Sequence, residues 1–217
     1  MAVADVASFR DTYRREHIGA RYSGWGHFCF TSIGALAAIA FVVSRVSAVA
    51  WWEWLVIPVA FVFANFAEYF GHRGPMHHLR PGLRLVFERH TQQHHRFYTH
   101  ERMAADSPRD FKMVLFPPVM LLFFLGGMAA PSTLAIYFLV SPNAGWLFAA
   151  VAIGYFLTYE WLHFAYHQPD TSWISHLPGL ARLRRHHQIH HDPRRMDRNY
   201  NITFPIADRE MGTCDRE

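Results

Sequence analysis

Residues 113–159, MVLFPPVMLLFFLGGMAAPSTLAIYFLVSPNAGWLFAAVAIGYFLTY, contain no Asp, Glu, Lys or Arg. A membrane-crossing helix needs about 20 mostly apolar residues, so this stretch is long enough for two. Ser141-Pro142-Asn143-Ala144-Gly145 is the expected turn between them. Soluble helices rarely stay uncharged on every side for such a length. In the first half, Pro117-Pro118, Gly126-Gly127 and Pro131 predict a kinked or partly re-entrant helix. The second half is expected to span residues 144–163.

Working outward, residues 28–44 and 54–67 are also free of charge and predict spans over 27–44 and 51–72. Trp51, Trp52 and Trp54 read as an aromatic belt at the interface where the first pair of spans turns. The second span is expected to end at Gly71 and Gly74-Pro75, because proline biases its predecessor away from helix. A mean hydropathy of -0.01 looks soluble only because these runs alternate with stretches dense in Arg and His.

Three polar regions remain: a lead-in over residues 1–26 closed by the breaker Ser23-Gly24-Trp25-Gly26, an insert over 73–112, and a tail from 168 to 217. They hold nearly all the arginines, whereas the turns within the paired spans hold only Arg45. The positive-inside rule then places the three regions, both termini and every histidine group in the cytoplasm. The expected fold is an all-α integral membrane protein: four transmembrane helices in two hairpins beneath a cytoplasmic, histidine-rich helical cap. Residues 27–217 form the membrane domain. A net charge of +4 reflects arginines flanking apolar segments, which suits anionic headgroups and argues against nucleic acid. No cleavable signal peptide is expected, and Cys29 and Cys214 match no disulfide framework or metal spacing.

Sixteen histidines are the compositional outlier. They gather as His72, His77 and His78; His90, His94 and His95; His163 and His167; and, in RRHHQIHH, His187, His190 and His191. On an α-helix, pairs at i, i+4 such as His90/His94, His163/His167 and His187/His191 share one face. His72 and His77, five apart, would be splayed by a continuous helix. Ten or so imidazoles exceed one mononuclear site, so two metals is the simplest count. Glu68 lies one turn before His72, and Glu160 lies three residues before His163. A carboxylate at that depth either accepts a ligand's ring N–H or ligates directly; a single Glu-x-x-His motif favours the first role.

In order, HRGPMH, HTQQHH, HFAYH and HQIHH resemble the histidine boxes of the fatty acid hydroxylase superfamily, which includes sterol desaturases and related membrane lipid hydroxylases. The tail Asn199-Tyr200-Asn201-Ile202-Thr203, with Asp208 and Gly212-Thr213, is similar to that family's C-terminal signature, so the resemblance covers His72 to Thr213. It implies a non-haem dinuclear centre, generally iron, that uses O2 and external electrons to hydroxylate or desaturate a lipid such as a fatty acyl chain or sterol, a monooxygenase of lipid biosynthesis. The implied ligands are His72, His77, His94, His95, His163, His167, His187, His190 and His191. His90 substitutes for the leading histidine of the second box, whose usual place holds Thr91. Two iron ions are implied, with zinc an ion the same imidazoles accept, and a separate electron-donor protein is the implied partner. Two other readings stay open: a divalent-metal transporter or metal-binding membrane protein without oxygenase activity, and a haem electron carrier.

Overall fold

The computed structural model describes residues 3–215. Among them the regular structure is helical, and the only strand-like pairing is an isolated bridge between Thr99 and Arg102. Four helical stretches are long and apolar enough to cross a membrane: Gly24–Ser44, Trp51–Met76, Pro108–Leu139 and Pro142–Tyr166. The chain divides into two compact units.

One unit comprises residues 26–64 and 116–160. It holds most of helix α2 (Gly24–Ser44), the start of α3 (Val56–Gly71), α5 (Ala130–Leu139) and most of α6 (Pro142–Tyr166). Half of the apolar window of α6 is buried, against 17–22% for the other three stretches, so α6 is the central helix. Ala149, Ile153 and Leu157 of α6 pack on Ala35 and Val42 of α2. On another side, Tyr155 and Phe148 meet Phe61 and Phe63 of α3. Small residues let helix backbones approach where lipid offers no hydrophobic drive to associate. The α5–α6 turn needs one: a Cβ on Gly145 would lie 2.8 Å from Cβ of Tyr137 and 3.0 Å from the Thr133 carbonyl. Ser141 caps α6 by accepting from Ala144 N at 3.1 Å, so the helix starts at Pro142 and takes in most of the expected turn. Buried Glu53 accepts from Ala50 N and Asn143 Nδ2, while Asn143 also bonds both backbone groups of Ser47, which ties the two hairpin turns together. Outward, Phe30, Ile33, Val59, Phe63, Leu122, Phe138 and Leu139 are exposed, a surface that fits lipid and not water.

The third apolar stretch is interrupted where expected. It breaks over residues 115–117, resumes as Pro118–Leu122, and widens to a π-helix over Phe123–Ala129 at the Gly126-Gly127 pair.

The other unit takes in residues 1–25, 65–115 and 161–217. It contains α1 (Val3–His17), α4 (Arg84–Phe87), α7 (Leu180–His190) and α8 (Ile206–Glu210). Gly24, Trp25 and Gly26 of the supposed breaker instead begin the first turn of α2. Two arginines at i, i+4 clamp α1 to the insert. Fully buried Arg10 donates to the carbonyls of Phe97, Arg102 and Ala104, and Arg14 donates to Asp106 and to both oxygens of Asp110. Helix α3 does not stop before Gly74-Pro75 but continues as a π-turn, His72–Met76. Proline cannot donate an i→i−4 bond, and the wider turn accommodates its ring without ending the helix.

Candidate metal centre

The same unit brings all ten candidate imidazoles together. His72, His77, His90, His95 and His190 form one group, and His94, His163, His167 and His187 a second; within each, the ligand atoms lie within 4.8 Å of one another. His191 joins neither set, but its ring stacks on His95 at 4.3 Å and its Nε2 lies 3.0 Å from Nε2 of His187, so it stands between them. Nine of the ten are buried, and His77 is half-buried. His78, exposed, bonds the Arg73 carbonyl, and His186 approaches Asp208 at 3.2 Å.

Two π-turns decide the grouping. In the first, a wide turn stacks residues five apart, so His72 and His77 share a face that an α-helix would have denied them. The second, Glu88–His94, aligns His90 with His95 in one group and sends His94 to the other. His90 and His94 do lie side by side as the i, i+4 spacing predicts, their rings stacked at 5.4 Å, but they are divided between the two groups. His187 and His190 of α7 are likewise split between the groups.

Ring orientation comes from main-chain carbonyls. Nδ1 of His72 donates to Tyr200 O, His94 to Met113 O at 2.8 Å, His167 to Met103 O at 2.7 Å, His190 to Arg198 O at 2.6 Å and His191 to Tyr98 O at 2.5 Å. A carbonyl only accepts, so each of these Nδ1 atoms carries the proton and each Nε2 a lone pair. Glu68 accepts from Ile202 N, Thr203 N and Thr203 Oγ1, which fastens the loop that presents Tyr200 O. Glu160 accepts from Phe116 N at 3.2 and 3.3 Å.

Across each group the Nε2 atoms face one another. Nε2 of His90 lies 2.8 Å from that of His72, 3.2 Å from His77 and 3.1 Å from His95, and Nε2 of His77 is 2.9 Å from that of His190. In the second group, Nε2 of His94 is 3.2 Å from His163, and Nε2 of His187 is 3.2 Å from His167. One proton on His90 or His187 serves one neighbour, not all of them. Protonating more rings is opposed: burial, and next His190 and His78, push His77 down to about 2. Burial followed by neighbouring imidazoles holds His90, His95 and His187 far below the usual range. A cation between the rings resolves the conflict. Imidazoles at about 2.1 Å from a metal have neighbouring nitrogens about 3.0–3.4 Å apart, close to the spacings here. The donor set fits a metal.

A family model described as fatty acid hydroxylase matches residues 57–213. The chain belongs to the fatty acid hydroxylase family. Among curated proteins and solved structures, none matches it. Fatty acid hydroxylase membership makes it an oxidoreductase of the lipid hydroxylase and desaturase kind, and its two imidazole groups are able to hold metal ions. Beyond the family's boxes, the site depends on Arg10, Arg14 and Asp208, which the boxes do not include. Asp208 was marked only as part of the C-terminal signature, and the arginines only by their spacing one turn apart on an amphipathic helix.

Proposed function

We propose that this member of the family is a dinuclear iron oxygenase of the membrane. It hydroxylates or desaturates a lipid using O2 and electrons from a separate donor protein, with the histidine unit and both termini in the cytoplasm. The observation that carries the reading is the set of imidazole Nε2 atoms turned on one another in two adjacent groups. His72, His77, His90, His95 and His190 hold one ion; His94, His163, His167 and His187 hold the other, with His191 between them.

Bound iron supplies the redox chemistry that side-chain acid–base groups lack, with O2, two electrons and two protons consumed to give alcohol and water from a C–H bond. The residues keep the imidazoles neutral through burial, aim His72, His94, His167, His190 and His191 through their carbonyl partners, and exclude bulk water from the groups. The exposed apolar surface of the other unit keeps the protein in the bilayer, where alkyl chains are at hand. Arginine concentrated in the three polar regions supports the cytoplasmic orientation.

Lipid mass spectrometry of cells with and without the protein, repeated with His187→Ala, tests the reading beside metal analysis of gently extracted protein supplied with iron. Two irons per chain and an oxidised lipid that disappears with the variant are expected. Fewer than two, or an unchanged lipid profile, sinks it, and uptake of metal into proteoliposomes would put a transporter in its place.

A further inference from the structure

The two imidazole groups hang from different scaffolds. In the first, His72 and His190 are aimed by Tyr200 O and Arg198 O, both on the loop between α7 and α8. That loop closes on Asp208. Its carboxylate, fully buried, accepts from Tyr200 N at 2.9 Å, Asn201 N at 2.8 Å and Thr213 Oγ1 at 2.7 Å, and faces His186 Nε2 at 3.2 Å. Asn201 returns a bond to Asp208 N, and Asn199 N bonds Thr213 O, so the loop is fastened at both ends. The centre of the Tyr200 ring lies within 5.7 Å of the ring centres of His72, His77 and His190.

In the second group, His94 and His167 are aimed by Met113 O and Met103 O, and neighbouring His191 by Tyr98 O. Met103 and Tyr98 belong to the insert, and Met113 follows it directly. There the fasteners are Arg10 on the carbonyls of Phe97, Arg102 and Ala104, and Arg14 on Asp106 and Asp110. Tyr98 OH adds a bond to Asp110 O at 3.0 Å.

We infer that Asp208 is the positioning residue of the first metal position and the Arg10–Arg14 clamp that of the second, so that each position is loaded and lost separately. The inference rests on the metal reading above. It follows from the direction of the bonds. Removing Asp208 frees Tyr200 N and Asn201 N, lets the loop turn, and takes the acceptors from His72 and His190. Among the described residues, nothing in that chain of bonds reaches Met103 O, Met113 O or Tyr98 O. Outer partners that orient ligand rings are typically worth about 10–100-fold in metal affinity.

The test is zinc titration of the detergent-solubilised full chain, with bound metal counted by plasma mass spectrometry and folding followed by circular dichroism and elution volume. Wild type is expected to take up two zinc ions per chain; if it takes up none, the metal reading falls and not this inference alone. In Asp208→Asn one ion should bind as in wild type and the other about 10–100-fold more weakly. Adding His77→Ala should then change little, whereas adding His163→Ala should remove the remaining tight ion, because non-additivity marks residues that serve one site. Arg14→Gln should show the opposite pattern. Equal weakening of both ions, or none, in folded Asp208→Asn overturns the inference. Should that variant aggregate, Thr213→Val, which removes one of the four contacts, carries the same test: selective weakening of one ion supports the inference, and unchanged or uniform binding overturns it.

Discussion

His94 and His95 are neighbours in the chain, yet their rings are crossed at 88° and belong to different imidazole groups. The π-turn Glu88–His94 produces this, since it leaves His95 beneath His90 while His94 turns toward His163 at 3.2 Å. Each alanine variant should therefore lose a different ion. In iron-loaded protein, His95→Ala and His94→Ala are each expected to retain about one metal per chain, and the double variant to retain none. Two identical losses that add no further in the double variant would count against two groups.

Much of the fold was legible because an uncharged run needs no distant partner to declare itself. The spans over residues 27–44 and 144–163 lie inside Gly24–Ser44 and Pro142–Tyr166. Histidine spacing marked which rings matter but not how they divide, because the i, i+4 rule assumes α-helical winding and two of the bearing segments are π-wound. Pro75 read as a stop because local sterics disfavour helix before proline; the bonds that Met76 O and Tyr200 O make across the fold carry the segment past it. Arg10 showed only as one of two arginines a turn apart, with no sign of its partners, which lie 87 to 94 residues away.

The clamp on α1 should release in acid. Burial raises the Asp106 carboxyl, but bonds and charge from Arg14 and Arg10, with Arg102 alongside, outweigh it and hold the group at about 2, below its ordinary 3.8. A folded value below the unfolded one means that the contribution is complete above about pH 4 and is lost as pH falls through about 2. A spin label at Glu16→Cys, in a background lacking Cys29 and Cys214, should become mobile over that window. In Arg14→Gln the mobilisation should begin at higher pH. A label equally immobile at pH 2 and pH 6 would show that Asp106 does not hold the helix.

Gly24 opens α2 at a point where a Cβ would lie 1.8 Å from the carbonyl oxygen of Pro108 and 2.8 Å from the Phe111 ring, whereas a Cβ on Gly19 would meet nothing within 4 Å. Backbone oxygen cannot step aside as a flexible side chain does. Overpacking of this kind costs about 1–3 kcal/mol or more, so Gly24→Ala should lower the thermal midpoint by several degrees or aggregate. Gly19→Ala should leave it unchanged. Equal midpoints for the two variants would mean that the approach of residues 24 and 108 is not tight in the folded protein.

Shortly beyond the second membrane-length stretch, which ends at Met76, the loop after His77 turns at Pro81-Gly82, where Gly82 takes φ +76° and Leu83 N bonds Arg80 O at 3.0 Å. Around that turn Leu79 is 60% exposed, Leu83 39% and Leu85 75%, interleaved with exposed Arg80 and Arg84. Leucines facing outward between arginines, so close to a membrane-length helix, match the boundary between acyl chains and anionic headgroups. A bimane label at Leu85→Cys, with Cys29 and Cys214 replaced by serine, should emit to the blue in nanodiscs and be quenched by brominated lipid. Phosphatidylglycerol should strengthen the quenching relative to phosphatidylcholine, and Arg80→Gln should reduce that gain. Emission at the wavelength of the dye in water, indifferent to brominated lipid, would mean that the loop stands clear of the bilayer.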